Sequence, residues 1–373
     1  MKTIIVIAAA CRKSGALAIY KQFINHLSHN VNNHSYVVFV DESMPCPPFD
    51  GIEYIYVNLR KGFSRVLFDF VSCRKMLISR GIKPDLIISL QNTGVRCYSD
   101  IHQLIYYHQS IPFYNYNWNP FSPTERSLAF YKYIYPLFVK YSFKKTKVDF
   151  VAQIPFIKDG IIKRYCVPSE KVYVLFPDTE KIDNMNIPSF DYSDENYHFL
   201  YPAIGVEYKN HHILIKAIEH LMAVKPDIAR KIRIHFTFLP ESYPKLYAEI
   251  KALNLGSVFV FHNTIPHELL LSMLRSSCGL LFPSKIETLG LPLIEAAALG
   301  KPIIASDVVY AHEVLHEYDG VRFAECDNAR EWAIKIENLC SSSVHFYEPL
   351  RQTDLSSWNS FFCLVENRLS ETD

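Results

Sequence analysis

The sequence predicts an α/β protein of two Rossmann-like domains, each a parallel sheet covered by helices, and three observations carry that prediction. Short apolar runs alternate with helical segments along most of the chain, the pattern of parallel strands joined by crossovers. A polar, acidic stretch without strong periodicity, Asp178 to Asn196, divides the chain. The length, 373 residues, exceeds what one core comfortably supports and suits two domains of roughly 150 to 200 residues. We therefore expect a first domain over 1–180, a linker over 181–196, a second domain over 197–350 and a terminal helical segment over 351–373.

The elements follow in order. Thr3 to Ala10 is a continuous apolar run that reads as a strand, Ser14-Gly15 supplies a turn, and Ala16 to Leu27 has helical spacing. Further strands are expected at Tyr36 to Val40, Tyr54 to Val57, Leu86 to Leu90, Leu104 to Tyr107, Phe150 to Ala152 and Val172 to Val174, with a helix at Ile157 to Tyr165. The second domain begins strand-first, with runs at Tyr197 to Pro202, Ile232 to Leu239, Val258 to Phe261, Gly279 to Phe282 and Pro302 to Ala305. Near the end, Trp358, Phe361, Phe362, Val365 and Leu369 recur at near-helical spacing within Ser356 to Leu369.

Composition narrows the class. A hydrophobic fraction of 49% with 21% charged residues is that of a globular protein, and a net charge of +1 gives no global electrostatic case for binding nucleic acid. Nine cysteines without a C-x-x-C pair argue against a disulfide framework and a zinc site, so they read as reduced cytosolic thiols. No run approaches the roughly 20 apolar residues needed to cross a bilayer. The apolar run after Met1 is short for a signal-peptide core and reads better as the first strand. A cytoplasmic protein is expected, with the inner face of the membrane as a further possibility.

The chemistry concentrates in PSKIETLGLPLIEAAALGKPIIAS, Pro283 to Ser306. Cys278 to Phe282 reads as a buried strand, Gly290-Leu291-Pro292 as a helix entry, Gly300 as the helix stop and Lys301 to Ala305 as the next strand. Such a crossover places free backbone N–H groups and the positive end of the helix dipole at one point, which favours an anion. Glu287 lies in the loop before the helix, and Glu295 is expected in its first turn, where the dipole helps a carboxylate. Carboxylates accept hydrogen bonds from hydroxyls, so two of them around an anion site suit a molecule with hydroxyls on both sides of a pyrophosphate. A nucleotide sugar has that shape.

The E-x7-E segment and the Gly-Lys-Pro-Ile-Ile strand after it resemble the donor motif of the family 4 glycosyltransferases, retaining enzymes of the two-domain GT-B fold. The resemblance implies two Rossmann-like domains with parallel sheets facing a central cleft, and a nucleotide-sugar donor, UDP- or GDP-linked, held mainly by the second. Carried over by position, Glu287 holds hydroxyls of the donor sugar, the backbone from Thr288 and Leu289 through Gly290 and Leu291 binds the diphosphate, and Glu295 holds the ribose. Tyr201 to Ile218 resembles the family's strand, loop and helix in which an Arg and a Lys contact the diphosphate. Lys209 matches that Lys, whereas Ile204 stands where the Arg is expected. Either Lys285 replaces the guanidinium or Lys209 and the helix terminus suffice.

In the first domain His108, in the run Tyr106 to Phe113, resembles the family's strand-end His, which implies a hydrogen bond to the donor sugar or the acceptor. Gly15 resembles the glycine of the first loop, on the donor side. Thr264 to Glu268 is expected beside the base. The sequence has no D-x-D, and His262 and His267 lack an accompanying ligand set, so no metal is expected. G-x-G-x-x-G is also missing, which counts against a dinucleotide oxidoreductase. The implied terminal helix crosses back to the first domain.

Trp118 to Lys147 interleaves aromatics with lysines. That composition suits a membrane interface, and it equally suits two helices, broken near Pro136, that pack on the first sheet with their lysines outside. No residue has the context of a dependable nucleophile. The resemblance then implies front-face transfer with retention, from a nucleotide sugar to a saccharide or lipid-linked acceptor of surface polysaccharide, with Glu287, Lys209 and His108 as the catalytic group. The alternatives are a non-catalytic GT-B partner protein and a nucleotide-sugar epimerase.

Overall fold

The computed structural model describes residues 1–12, 14–29, 34–59, 62–176, 187–342, 346–350 and 357–371. The chain divides into two compact units, Met1–Asp178 together with Thr353–Asp373, and Thr179–Gln352. Each contains one parallel sheet, and together they are the two sheets of the GT-B fold.

The first unit has a seven-stranded sheet. Its strands are β1 (Thr3–Ile7), β2 (Ser35–Val40), β3 (Ile52–Tyr56), β4 (Leu86–Ser89), β5 (Gln103–Tyr107), β6 (Val148–Ala152) and β7 (Val172–Val174). They lie in the order β3-β2-β1-β4-β5-β6-β7. The central strands β4 and β5 are buried at every residue, as expected for runs covered on both faces. The order reverses between β1 and β4, which opens a crevice beyond their carboxyl ends.

The helix Ser357–Ser370 packs on this unit, against the helix Ser14–His29. Trp358 stacks on Tyr106 at 5.5 Å, meets Phe23 edge-on at 5.8 Å and donates its indole N–H to Gln22 Oε1 at 3.0 Å. Further along, Arg368 donates to the buried carboxylate of Asp149, which also meets His102 at 2.9 Å. Burial alone would raise the Asp149 pKa, but the His102 and Arg368 hydrogen bonds outweigh it and hold the carboxyl below its usual range.

The second unit has six strands: β8 (Tyr197–Tyr201), β9 (Ile232–Phe236), β10 (Phe259–Phe261), β11 (Gly279–Phe282), β12 (Ile303–Ser306) and β13 (Val321–Ala324). Their order is β10-β9-β8-β11-β12-β13, with the reversal between β8 and β11. Of the linker expected over 181–196, residues 181–186 lie outside the described residues. Phe190 N–H donates to Ser276 Oγ at 2.8 Å and Tyr192 Oη donates to Met273 O at 2.8 Å, fastening the approach to β8 onto the second unit.

Several expectations are corrected. The first strand ends at Ile7, because Cys11 N–H turns back onto Ala8 O at 2.7 Å, and β9 ends at Phe236. Strand β13 was not expected: of its residues only Ala324 is buried, Arg322 is exposed and the run is not apolar, because it lies at the sheet edge. No break occurs at Pro136. The helix Arg126–Ala129 passes through a π turn, Phe130–Ile134, directly into the helix Tyr135–Ser142. Pro136 sits at the start of that last helix, where its missing N–H is tolerated.

Candidate functional site

The second unit assembles its site at the β8/β11 reversal, from the loops that leave those two strands. After β8 the chain makes a short turn, Glu207–Lys209, and Asn210 adopts the left-handed region at φ 58° before the helix His211–Val224. Asparagine tolerates that region better than most residues. Asn210 Nδ2 donates to Cys326 O at 2.8 Å, and Tyr201 Oη donates to Lys209 O at 2.5 Å, so the turn is tied on two sides. Lys285 N–H donates to Tyr208 O at 2.9 Å, joining this loop to the one after β11.

That junction brings Lys209 and Glu287 together, 78 positions apart in sequence: Lys209 Nζ donates to Glu287 Oε1, and both side chains are largely buried. The helix Leu291–Ala298 begins immediately afterwards. Gly290, at φ 78°, caps it, and a Cβ there would stand 3.2 Å from Leu293 Cδ1 in a backbone conformation that L-residues avoid. Thr288 and Leu291 are partly exposed, whereas Leu289 is buried. Residues Thr288 to Leu291 thus form the bend that leads into the helix.

Apart from Glu287, the aromatic groups beside Lys209 are neutral. His211 is fully buried, its ring 4.6 Å from Tyr201, 5.0 Å from Phe236 and 5.1 Å from Phe238, and neither ring nitrogen has a hydrogen-bond partner. Burial, with the Lys209 charge adding to it, pushes its pKa down to about 3, so the imidazole is neutral. Burial and the Glu287 charge push the Tyr208 hydroxyl up to about 12. The ammonium of Lys209 lies 5.6 Å from the Tyr208 ring centroid.

Three further expected residues are placed differently from one another. Ile204 is 55% exposed and brings no charge. Lys285 Nζ donates to Asp327 Oδ1 at 2.6 Å, a pair whose carboxylate is 83% exposed and therefore weakly held. Glu295 is the fifth residue of its helix, and the first turn carries no acid, so the expectation of a first-turn carboxylate is corrected. The helix starts at Leu291, within the Gly-Leu-Pro entry read from the sequence, so Glu295 falls just past the first turn; His267 Nε2 meets its Oε1 at 2.9 Å. His262 is joined to His235 at 2.8 Å, and His235 to His198 at 2.9 Å, with Asp194 at the far end at 2.7 Å from His198. Nothing in sequence spacing announces this chain of imidazoles across β8, β9 and the end of β10.

The first unit carries its candidates at the β1/β4 reversal and on neighbouring β5. Gly15 lies in the first turn of the helix after β1, and a Cβ there would meet nothing within 4 Å, so packing does not demand the glycine. His108 follows β5; its N–H donates to Asn92 Oδ1 at 2.6 Å and its Nε2 bonds Leu90 O at 2.9 Å. Burial lowers its pKa, with Arg65 acting in the same direction against the backbone hydrogen bonds, so Nε2 carries the proton of a neutral ring. The turn after β4, Gln91 to Gly94, is the element that sequence reasoning missed. Its signal was the Gln-Asn-Thr-Gly run behind an apolar strand.

Comparison with known proteins agrees with this geometry. Residues 186–353, essentially the second unit, match the family described as glycosyl transferases group 1. The O-antigen chain mannosyltransferase RfbU of Salmonella typhimurium is 29% identical over 183 residues, 49% of this chain and 48% of that protein. The match thus spans about half the length of that curated relative. Among solved structures, the lipopolysaccharide outer core galactosyltransferase WaaB in its apo form is similar with TM-score 0.65 and 15% identity, over 99% of this chain and 100% of that one. HepE from Anabaena, in complex with UDP-glucose, gives TM-score 0.62 and 14% identity over 100% and 99%. At these identities the structures define the fold, which is GT-B.

Proposed function

We propose that the protein is a metal-independent, retaining hexosyltransferase. It moves a sugar from a UDP- or GDP-linked donor to a saccharide or lipid-linked saccharide during surface polysaccharide synthesis. The observation that carries this reading is the Lys209–Glu287 pair beside the Gly290 helix entry, at the strand reversal of the unit that matches the glycosyl transferases group 1 model. The O-antigen mannosyltransferase and the HepE complex support the substrate class by their names.

The geometry suggests how the pair works. Without ligand, Lys209 is neutralised by Glu287. A diphosphate at the amides of Gly290 and Leu291 draws Lys209 towards itself, because two negative phosphates outcompete one carboxylate, and Glu287 is released to accept hydroxyls of the donor sugar. The ammonium and the helix terminus then stabilise the charge that grows on the leaving diphosphate. Lys285 can leave its exposed partner Asp327 and supply the charge that Ile204 does not. Glu295 holds the ribose and Thr288 and Leu289 shape the bend, while Gly15 leaves room for the donor and His108 for a sugar hydroxyl.

In this reading the acceptor is met at the inner face of a membrane. The helical stretch from Arg126 to Ser142 exposes Phe130 (42%), Ile134 (46%), Leu137 (64%), Phe138 (41%) and Tyr141 (52%), spaced as one helix face, with Lys140, Lys144, Lys145 and Lys147 close by. Exposed aromatics flanked by lysines fit an anionic lipid surface. Among the described residues no helix is long and apolar enough to cross a membrane.

The test is incubation of the full chain with a panel of nucleotide sugars and a membrane-extracted glycolipid acceptor, reading sugar transfer and the anomeric configuration of the product. Transfer with retention supports the reading. Free epimerised sugar nucleotide supports an epimerase, and donor binding without turnover supports a non-catalytic partner, the reading favoured by Ile204.

A further inference from the structure

The turn after β4 is anchored at nearly every residue, by a half-buried arginine on one side and a buried aspartate on the other. Arg65 donates to Gln91 O and, at 3.1 Å, to Thr93 Oγ1. Thr93 Oγ1 in turn donates to Asp69 Oδ2 at 3.0 Å, while Gln91 Nε2 reaches Asp69 Oδ1 at 3.4 Å. Asp69, Gln91, Asn92 and Thr93 are all at least nine-tenths buried. Gln91 Oε1 accepts from Ala10 N–H at 3.3 Å, tying the turn to the segment after β1. Ser89 Oγ donates to Thr93 O at 2.5 Å.

Burying this much polarity is costly, and a simple crossover does not need it. Asn92 is held at φ 68°, in the left-handed region, and its side chain faces the N–H of His108. Leu90 O, at the start of the same turn, takes Nε2 of His108. The hydrogen bond to the ring, from Leu90 O, and the one to the His108 backbone N–H, from Asn92, therefore both come from the segment that Arg65, Thr93 and Asp69 fasten.

We infer that Arg65, Asp69 and Thr93 are positioning residues that hold the Leu90 to Gly94 turn so that His108 keeps one ring orientation and one tautomer, with the proton on Nε2. The tautomer itself requires no substrate, and only its use in sugar transfer rests on the transferase reading.

The experiment is nitrogen-15 NMR of the full chain with labelled histidine, assigned through His108→Gln. The expected result for the unmutated protein is a single His108 tautomer protonated at Nε2. Thr93→Val, which removes the hydroxyl bridge without changing volume much, should give averaged ring shifts, and Thr93→Ser should restore them. In a transfer assay Thr93→Val should lower kcat by up to roughly 100-fold with little change in donor KM, because misplacement rather than lost binding is the cause. An Nδ1-protonated or averaging His108 in the unmutated protein overturns the inference. So does an unchanged His108 spectrum in folded Thr93→Val. Failure of every donor to react, with the tautomer behaviour as expected, would instead count against the transferase reading alone.

Discussion

The two units bury ionisable groups in opposite ways. In the first, the buried groups are charged and bridged: Arg65 and Asp69 meet through Thr93, and Asp149 is held by His102 and Arg368. In the second, the buried imidazoles of His211 and His235 are neutral: His211 has no hydrogen-bond partner, and His235 lies between two other histidines. Burial pushes both His211 and His235 down to about 3. Bridged charges fix geometry, which suits a unit that must orient His108. Neutral rings leave Lys209 and Glu287 as the pair available to a charged ligand. The second unit also buries the cation Lys301, whose pKa burial lowers to about 8, but the imidazole beside Lys209 is neutral, so Glu287 and Lys209 face each other without a competing buried charge from His211.

The largest effect expected from breaking the contrast is at that point. Lys209→Ala should reduce kcat for transfer on the order of 100- to 1000-fold, the range seen when one charge-stabilising donor is removed from a transition state. Glu287→Gln should fall in the same range while the protein stays folded. Turnover assays with circular dichroism on the same samples check both, and near-wild-type turnover in Lys209→Ala would contradict the assignment.

Next in size is an acid response that separates the units. A histidine whose folded pKa lies near 3 stays unprotonated in the native state while the unfolded chain takes up protons below about 6.5. Its contribution is therefore present above pH 6.5 and lost as pH falls, by about 1.4 kcal/mol per ring per pH unit. Asp69 behaves oppositely: burial raises its pKa to about 6, so the native state takes up a proton before the unfolded chain, and the first unit gains stability between pH 6 and its ordinary value of 3.8. Calorimetry from pH 7 to pH 5 should show the second unit's transition moving down relative to the first. Coincident movement of both transitions would break the comparison.

A smaller effect is expected at Gly290. Gly290→Ala places a Cβ at φ 78° and 3.2 Å from Leu293 Cδ1, which should cost on the order of 1 kcal/mol or slightly more and weaken nucleotide binding through the helix entry. Denaturant unfolding and a nucleotide titration measure the two parts. Smallest is Asp327→Ala. Removing the exposed partner of Lys285 should change stability by less than about 1 kcal/mol, and donor affinity should rise slightly because Lys285 is no longer held away from the phosphates. Lower affinity would instead mean that Asp327 positions Lys285.

Much of the fold was legible because strands buried on both faces are mainly apolar, as β4, β5, β11 and β12 are. Edge strand β13 lacked that signal. The Gly290 entry was legible because Gly followed by Leu-Pro restricts backbone angles locally. Glu295 falls just past the first turn and not within it, because the helix already begins at Leu291, before Pro292, and residue counting does not fix a helix boundary that closely. Lys209–Glu287 and Lys285–Asp327 are contacts between residues 78 and 42 positions apart, and no local pattern reveals which lysine takes which carboxylate. The support of His108 was invisible for the same reason: Arg65 and Asp69 reach the turn after β4 from a different helical stretch.

The central claim is that the β8/β11 reversal of the second unit holds a nucleotide sugar through Lys209 and the Gly290 helix entry. Calorimetric unfolding of the full chain with UDP- and GDP-sugars tests it most directly. At about 100 times its Kd a donor that binds only the native state adds about 2.7 kcal/mol. The account predicts that at least one nucleotide sugar raises the second unit's transition, and that Lys209→Ala removes most of the shift. It is contradicted if no nucleotide sugar moves that transition, or if the full shift survives in Lys209→Ala.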